Sequence, residues 1–212
     1  MTNDHMVWQQ FQERAQLSPA QLELFKRYYQ LLLQWNEVHN LTAITDLAEV
    51  LEYHFLDSIL IRKFYDFEKC RAIADIGSGG GFPGIPLSIL FPGTPVLLIE
   101  VTEKKCRFLR LVAQELGLAQ VEVIQLDWRT FLRTTCHEQL ASPYGLVCAR
   151  ASLAPRELVR MFQPSSCYRD ATLVYWASRD WQPTVREQEL IVRRERYEVG
   201  GKERRYVFFK RG

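Results

Sequence analysis

The glycine-rich segment from Asp75 to Leu87, DIGSGGGFPGIPL, is the feature that most restricts what this chain can fold into. Five of its thirteen residues are glycine and two are proline. It follows an apolar run, RAIADI, and precedes a predicted helix from Gly84 to Leu90. In doubly wound α/β folds, a glycine turn between a buried strand and a helix lies where the backbone approaches a ligand. A tight turn without a ligand is the alternative, and five glycines within residues 77–84 disfavour it.

Short apolar runs alternate with helical patterns from residue 71 onward. Helices are predicted at Glu103–Leu116 and from about Pro155, and strands within residues 71–76, 95–100, 121–126, 144–150 and 171–176. The tail predicts a hairpin around Gly200-Gly201. This alternation predicts an α/β fold with a mostly parallel sheet covered on both faces, and the hairpin predicts one antiparallel strand at the edge of the sheet.

Two helical patterns precede the first apolar run. Ser18-Pro19-Ala20-Gln21 is a capping box with proline at the first helical position, and apolar spacing predicts a helix to about Trp35. A second helix is predicted from Leu47 to Lys63. The chain therefore divides into a helical extension over residues 1–66 and an α/β domain over residues 67–212.

Charge is uneven along the 212 residues. Residues 1–70 carry 6 basic and 10 acidic side chains, whereas residues 179–212 carry 10 and 6, a net charge of +4. A basic C-terminal segment suits a polyanionic partner, although mixed charge on a solvated surface is the simpler explanation of this feature alone.

Composition and cysteine spacing argue against several classes of protein. No apolar run approaches the ~18 residues of a membrane-spanning helix. The first ten residues carry no basic-then-apolar signal pattern. The five cysteines form no C-x-x-C pair, which argues against a disulfide framework and against a zinc site. We therefore expect a cytoplasmic protein that contacts no membrane and holds no metal, and we expect a monomer.

An acidic residue stands directly before the glycines. The register Asp75-x-Gly77-x-Gly79-x-Gly81 fits the predicted strand better than the dinucleotide pattern that begins at Gly79. A carboxylate at Asp75 suits a ligand with an ammonium or sulfonium group and would repel a pyrophosphate.

Acids also end the next two predicted strands. Glu100 lies 25 residues after Asp75, where an acid can accept both hydroxyls of a ribose, and capping the next helix is the alternative. Asp127 could accept from an adenine amine and Trp128 could stack on the ring, the alternatives being a helix cap and a core aromatic. Together these strand ends predict an adenosine-bearing cofactor with a cationic, methionine-like tail, which is S-adenosylmethionine.

The glycine segment, extended to DIGSGGGFPGIPLSILFP, resembles the bacterial small-subunit ribosomal RNA guanine-N7 methyltransferases, also called the glucose-inhibited division protein B family. Five further segments resemble that family in matching order, namely WNEVHNLTAI, HFLDSIL, EKKCRFLRLVAQELGL, CARA and KERRYVFFKR. The resemblance covers nearly the whole chain. It implies a class I S-adenosylmethionine-dependent methyltransferase fold, with a seven-stranded sheet whose last strand is antiparallel, and small-subunit (16S) ribosomal RNA or the ribosomal subunit as partner.

The resemblance also implies roles for particular residues. Gly77 and Phe82 would contact the cofactor, and Glu100 would bind its ribose. The backbone at Trp128-Arg129 would hold the adenine. Arg150 would lie at the cofactor site facing the RNA.

The chain departs from the family pattern at two places. The family usually has Arg-x-Glu after strand three, whereas this chain has Asp127-Trp128-Arg129. A lysine often follows strand five in the family, whereas this chain has Ala177, with Arg179 two residues on. The first departure bears on side-chain contacts to adenine, and the second on contacts to RNA.

Guanine N7 carries a lone pair and no proton, so its methylation needs alignment and no general base. Arg150 is the predicted catalytic residue, holding the base or a neighbouring phosphate. No Asn-Pro-Pro-Tyr-type loop and no Pro-Cys pair is present, which disfavours methylation of an exocyclic amine and attack through a cysteine.

His54, Asp57 and Ser58 share one predicted helical face. They either line the methionine end of the cofactor or fix the extension onto the sheet, and we favour the second.

Two functions of other classes stay open. A nicotinamide-dependent oxidoreductase is disfavoured by Asp75 and by Phe82 in its register. A non-catalytic RNA-binding relic of the methyltransferase fold is kept open by the two departures.

Overall fold

The computed structural model describes residues 3–133, 144–150, 154–162, 168 and 170–210. In this part of the chain seven strands form one sheet, with bounds β1 Ile73–Ile76, β2 Val96–Glu100, β3 Val121–Gln125, β4 Leu146–Arg150, β5 Thr172–Ala177, β6 Ile191–Val199 and β7 Lys202–Phe209. Every predicted strand is confirmed. Two of the five cysteines, Cys136 and Cys167, lie outside the described residues, as do Ala151 of the CARA segment and Arg211 of the KERRYVFFKR segment.

The sheet has the order β3-β2-β1-β4-β5-β7-β6. Strands β1 to β5 pair in parallel, β7 is antiparallel to β5, and β6 is antiparallel to β7. The implied class I methyltransferase sheet, with an antiparallel last strand, is confirmed.

The antiparallel strand does not lie at the edge of the sheet as expected, because β6 pairs outside it. Burial explains the arrangement. Residues 206–209 of β7 are buried, whereas β6 exposes all three of its arginines. The apolar strand gains more from the inner position, and charge on the edge strand discourages pairing with other chains.

Helices cover both faces of the sheet. Their bounds are α1 Asn3–Ala15, α2 Pro19–His39, α3 Leu47–Val50, α4 Asp57–Ile59, α5 Gly84–Leu90, α6 Glu103–Glu115, α7 Trp128–Arg133, α8 Pro155–Leu158 and α9 Val185–Leu190. Helix α5 has the predicted bounds. The sequence patterns did not predict α1 or α9.

Helix α2 begins at the predicted capping box. Ser18 Oγ accepts from the Gln21 backbone N–H at 3.2 Å, and Gln21 Oε1 accepts from the Ser18 N–H at 3.0 Å. The helix runs one turn beyond Trp35, because Asn40 ends it in the left-handed conformation with φ of 48°. Asparagine tolerates this conformation better than most residues.

The second predicted helix is one continuous helical segment from Leu47 to Lys63. A π-helical turn, Leu51–Leu56, joins α3 to α4, and a 3₁₀ turn, Leu60–Lys63, ends the segment. Single π turns within α-helices are frequent at functional sites. This turn carries His54, and α4 carries Asp57 and Ser58.

The helical extension and the sheet share one hydrophobic core. Phe25, Tyr28 and Phe55 of the extension have no exposed surface and belong to the same cluster as Leu98 and Cys148 of the sheet. A second cluster covers the opposite face of the sheet. The boundary near residue 66 is thus a change of architecture across a shared core, and the division into two domains stays a prediction.

Candidate active site

A cavity of about 550 Å³ lies at the carboxyl ends of the parallel strands. Four strand ends contribute to its wall, namely Gly77–Gly80 after β1, Glu100–Thr102 at β2, Leu126–Trp128 after β3 and Arg150 at the end of β4. The structure therefore brings together the three strand ends that the sequence predicted as one ligand site. Ligand sites of doubly wound sheets lie at this edge.

The glycines of the loop serve two purposes. A Cβ on Gly81 would lie 2.5 Å from Tyr28 Oη, so this position is closed by packing against α2. A Cβ on Gly79 would meet only Gly77 O, at 3.9 Å, and Gly79 lines the cavity with φ of 57°. Tyr28 Oη also donates a hydrogen bond to the carbonyl of Gly80. The extension thus holds one side of the loop while the other side faces open space.

Asp75 lies behind the loop and does not belong to the cavity wall. Its side chain is fully buried, and Oδ2 accepts from the Gly84 N–H at 3.0 Å, which ties the start of α5 to the end of β1. Burial raises the pKa of Asp75 to about 7, against opposing effects of the Gly84 N–H and Arg150. Its Oδ1 has no hydrogen-bond partner among the described residues. A contact between Asp75 and a cationic ligand stays a prediction that depends on this oxygen.

Glu100 lines the cavity and also organises its surroundings. Its Oε2 accepts from the Gly79 N–H at 3.0 Å, and Oε1 accepts from the Thr102 N–H at 2.8 Å. The two alternatives for this residue therefore coexist, because Thr102 is the N-cap of α6 and Glu100 remains in the cavity wall. Each carboxylate oxygen accepts more than one hydrogen bond, so capacity for ribose hydroxyls is left.

Asp127 and Trp128 also line the cavity, whereas Arg129 does not. Asp127 Oδ1 accepts from the Arg129 N–H at 2.8 Å, which makes it a cap of α7. The Arg129 guanidinium lies 4.6 Å from the centroid of the Trp128 ring. Trp128 is half-buried between the cavity and this guanidinium. Its position suits both alternatives, stacking on an adenine ring and packing as a core aromatic.

Phe82 and Arg150 form the end of the cavity that faces the extension. The Phe82 ring stacks on the His54 ring with centroids 4.5 Å apart. The Arg150 guanidinium lies 5.2 Å from the Phe82 centroid. Both residues line the cavity, as expected, and both contact the helical extension.

Arg150 is the centre of a buried polar network. Its Nη1 donates to Asp57 Oδ2 at 2.9 Å and to Ser58 Oγ at 3.2 Å, and Nη2 lies 3.1 Å from His54 Nδ1. Nη1 also lies within hydrogen-bond distance of the Tyr53 and His54 carbonyls. This confirms the prediction that His54, Asp57 and Ser58 fix the extension onto the sheet. The role of Arg150 in catalysis stays a prediction.

His54 is held neutral at the boundary of the cavity. Burial, and then the charge of Arg150, lower its pKa to about 4. Arginine has only donors, so Nδ1 accepts from Arg150 and Nε2 carries the proton. That proton is donated to Thr42 Oγ1 at 2.8 Å. Both ring nitrogens are therefore engaged, and His54 offers no free base.

Asp57 gathers donors from the far strands of the sheet, which the sequence did not predict. Tyr197 Oη donates to Asp57 Oδ1 at 2.6 Å. Trp176 Nε1 and Tyr206 Oη each donate to the Asp57 backbone carbonyl at 3.0 Å. The sequence signal for these contacts was limited to the presence of Trp176, Tyr197 and Tyr206 in predicted strands. Leu41 and Lys105, also not singled out, complete the cavity wall.

A scan against family models matches residues 21–205 to the family described as rRNA small subunit methyltransferase G. The chain belongs to this family. One curated relative, the ribosomal RNA small subunit methyltransferase G of Geobacillus kaustophilus, is 41% identical over 148 residues, which are 70% of this chain and 61% of the relative. That of Bacillus cytotoxicus is 43% identical over 135 residues, 64% of this chain and 55% of the relative. The chain thus spans between 55% and 61% of the length of these relatives.

Solved structures share the fold at low identity. MtNAS in complex with MTA and tNA is 17% identical with a TM-score of 0.56, covering 90% of this chain and 72% of that chain. The METTL16 MTase domain is 15% identical with a TM-score of 0.55, covering 79% of this chain and 69% of that chain. These similarities support the class I methyltransferase fold alone.

The two departures from the family pattern have local structural explanations. The exchanged charges of Asp127 and Arg129 lie 3.7 Å apart, so they compensate each other. Ala177 is buried at the end of β5, and its register partner on β7 is Arg205. A cation is therefore present beside the position where the family often carries a lysine.

Within the described residues, no group of three or more His, Cys, Asp or Glu side chains could hold a metal ion. No helix in the described ranges is long and apolar enough to cross a membrane.

We expect Asp57→Ala to lower the free energy of unfolding by about 3–5 kcal/mol, because it leaves the guanidinium of Arg150 buried without its carboxylate. Urea unfolding measures this change. Glu23→Ala removes an exposed ion pair with Lys26 and serves as the control, which we expect to leave the midpoint unchanged. Equal midpoints for both variants would show that the buried pair does not stabilise the fold.

Proposed function

We propose that this chain transfers a methyl group from S-adenosylmethionine to N7 of a guanine in small-subunit (16S) ribosomal RNA, acting as a monomer in the cytoplasm. The observation that carries the proposal is the convergence of the glycine loop, Glu100 and Trp128 on one cavity in a chain of this family. The same strand ends would serve a cofactor with a cationic end, a ribose and a base.

The residues of the cavity fit S-adenosylmethionine. A volume of about 550 Å³ lies within the range of roughly 300–1,000 Å³ typical of small-molecule sites. Glu100 would accept from the ribose hydroxyls, and the backbone at Trp128-Arg129 would hold the adenine. The open side of Gly79 would face the cofactor, and the Oδ1 of Asp75 would lie toward its cationic end.

The composition of the wall suits transfer by alignment. S-adenosylmethionine supplies an electrophilic methyl group on a sulfonium. Among the described residues of the cavity wall there is no histidine and no cysteine, and the nearby His54 has both ring nitrogens engaged. Guanine N7 needs no proton removed, so such a wall is sufficient for it. The residues hold the reactants in line and exclude water.

The nucleic acid would have to present its base outside a helix. Guanine N7 lies in the deep, narrow groove of A-form RNA, which side chains cannot enter. We therefore propose an unpaired or unstacked guanine as the target, with Arg150 and Phe82 on the side of the cavity where it enters.

The direct test is methyl transfer from labelled S-adenosylmethionine to small ribosomal subunits and to protein-free 16S ribosomal RNA, followed by mapping of the modified base. Label on guanine N7 in either substrate supports the proposal. Label on an exocyclic amine or on a pyrimidine carbon would refute the N7 assignment. Saturable cofactor binding without transfer to either substrate would favour the non-catalytic alternative.

We expect Glu100→Ala to weaken binding of S-adenosylhomocysteine roughly tenfold or more, because charge-assisted bonds to the ribose are each worth about 1.5–3 kcal/mol. Isothermal titration calorimetry measures this affinity. Glu103→Ala, which changes an exposed glutamate at the start of the following helix α6, is the matched control. Unchanged affinity in Glu100→Ala would refute the ribose assignment. Binding of NAD to the unaltered protein would favour the oxidoreductase.

We expect the affinity for S-adenosylmethionine to fall up to about tenfold per pH unit below pH 7, because protonation of Asp75, whose pKa is about 7, would remove the negative charge that we propose acts on the cation from behind the loop. Arg150 opposes this shift of the pKa and Glu100 adds to it. Because the folded pKa is raised, Asp75 also stabilises the cofactor-free protein at low pH and loses that effect as the pH rises through 7. Calorimetry between pH 6 and 8 tests this.

In Asp75→Asn, the cofactor should bind weakly and equally at both pH values. The same steep pH dependence in Asp75→Asn as in the unaltered protein would assign the titration to another group. A flat response in the unaltered protein would remove Asp75 from cofactor binding.

At saturating cofactor and RNA, we expect a methyl transfer rate that stays level between about pH 6 and 9, because no base takes part in the step. Arg150→Lys should keep the ion pair with Asp57 yet lose turnover at least about tenfold, since lysine lacks the planar fork. Its affinity for S-adenosylhomocysteine should fall less. A bell-shaped profile traced to an enzyme group would show that a base is needed.

A further inference from the structure

A second recess, of about 400 Å³, lies on the outer part of the sheet, beside β5, β6 and β7. Its wall combines three arginines with an aromatic residue and two amides, namely Arg194, Arg196, Arg205, Trp181, Gln182 and Gln188. We call it the arginine recess. No carboxylate belongs to its wall in the described part of the chain.

The three arginines have spare hydrogen-bonding capacity. The Arg196 side chain is exposed and makes no hydrogen bond or ion pair with a described residue. Arg205 Nε is buried without a hydrogen-bond partner, and its Nη2 lies 3.8 Å from the exposed Glu203. Arg194 bonds to the neutral Gln188. Strand register places Arg196 directly opposite Arg205, with Arg194 two residues along the same strand. Three guanidinium groups therefore stand together with little neutralisation.

Guarding the edge strand against pairing is a simpler use for arginines on β6. Protection of the edge requires charged side chains on β6, but it does not depend on their position along the strand or on the face that carries them. It does not explain why Arg205 contributes from the inner strand β7, nor why Glu198, which alternation places on the same face as Arg194 and Arg196, lies outside the recess wall. The grouping of cations from two strands around one concave surface is what a polyanion requires.

The recess lies close to the cavity across the carboxyl edge of the sheet. Arg150 is paired with Trp176 on β5, and the next residue, Ala177, is paired with Arg205 on β7. The backbones of Arg150 and Arg205 are therefore separated by two strand spacings, which is about 10 Å. The recess opens on the face of the second hydrophobic cluster, to which Val207 belongs, whereas Arg150 points to the extension. A chain that crosses this edge would reach both.

We infer that the arginine recess binds the phosphodiester backbone of the ribosomal RNA beside the target guanosine. The inference rests on the proposed function. Planar guanidinium forks bind phosphate oxygens in pairs, and the amides of Gln182 and Gln188 add donors without adding charge. Trp181 packs against Tyr175 and Phe209, so it gives the recess a fixed floor. The recess positions the RNA and takes no part in the methyl transfer.

The test compares two single substitutions that remove the same charge. Arg196→Ala removes an arginine from the recess, whereas Arg186→Ala removes one from α9, exposed and outside the recess wall. Affinity for a protein-free 16S ribosomal RNA fragment is measured by fluorescence anisotropy over a range of salt concentrations. We expect Arg196→Ala to weaken binding roughly threefold to tenfold and to reduce the salt slope by about 0.7 for the lost phosphate contact. Arg186→Ala should leave the slope unchanged.

Further variants and measurements distinguish the ways in which the inference could be wrong. Arg196→Lys should keep the salt slope and lose part of the affinity, and all variants should bind S-adenosylhomocysteine as the unaltered protein does. Equal effects of Arg196→Ala and Arg186→Ala, with the double substitution Arg194→Ala and Arg196→Ala no weaker, would overturn the inference. A loss seen only with assembled subunits and not with protein-free RNA would also overturn it, since the recess would then contact a ribosomal protein.

The proposed function fails by a different result. If the unaltered protein binds the RNA fragment but transfers no methyl group to any ribosomal substrate, the catalytic proposal is wrong. The comparison of Arg196→Ala with Arg186→Ala can still be read in that case, because it depends only on RNA binding.

Discussion

The buried ion pair between Arg150 and Asp57 is the interaction on which the rest of this structure depends. Removing two charges from water is costly, and the pair is stable only because further hydrogen bonds satisfy both groups. Here Ser58 accepts from Arg150, Tyr197 donates to Asp57, and Trp176 and Tyr206 hold the Asp57 backbone. One contact thereby joins the helical extension to β4, β5, β6 and β7.

This joint also fixes the geometry of the cavity. The extension orients Arg150, which donates a hydrogen bond to His54. The ring of His54 stacks on Phe82, and its other nitrogen bonds to the loop residue Thr42. The same extension holds the glycine loop through Tyr28. The α/β part supplies nearly all of the described cavity wall, and the extension, which adds Leu41, supports that wall through the core that the two parts share.

Much of this could be predicted from local sequence, because strands, caps and glycine turns depend on neighbouring residues. The strands, the capping box at Ser18 and the position of the loop were all predictable in this way. Contacts between distant residues were not, since nothing near Asp57 indicates that Tyr197 will reach it. Strand order was also missed at one point, because the apolar β7 took the inner position and left β6 at the edge.

Asp75 and Glu100 show most clearly where the sequence stops being informative. Both are acids at the ends of adjacent parallel strands, so their local patterns predict the same exposure to a ligand. In the structure Asp75 lies behind the loop and bonds to Gly84, whereas Glu100 lies in the wall and bonds to Gly79. The two carboxylates thus hold opposite ends of one loop. Asp75 is fully buried, and this burial raises its pKa to about 7. The loop divides their roles, because it covers Asp75 and leaves the largely buried Glu100 in the cavity wall.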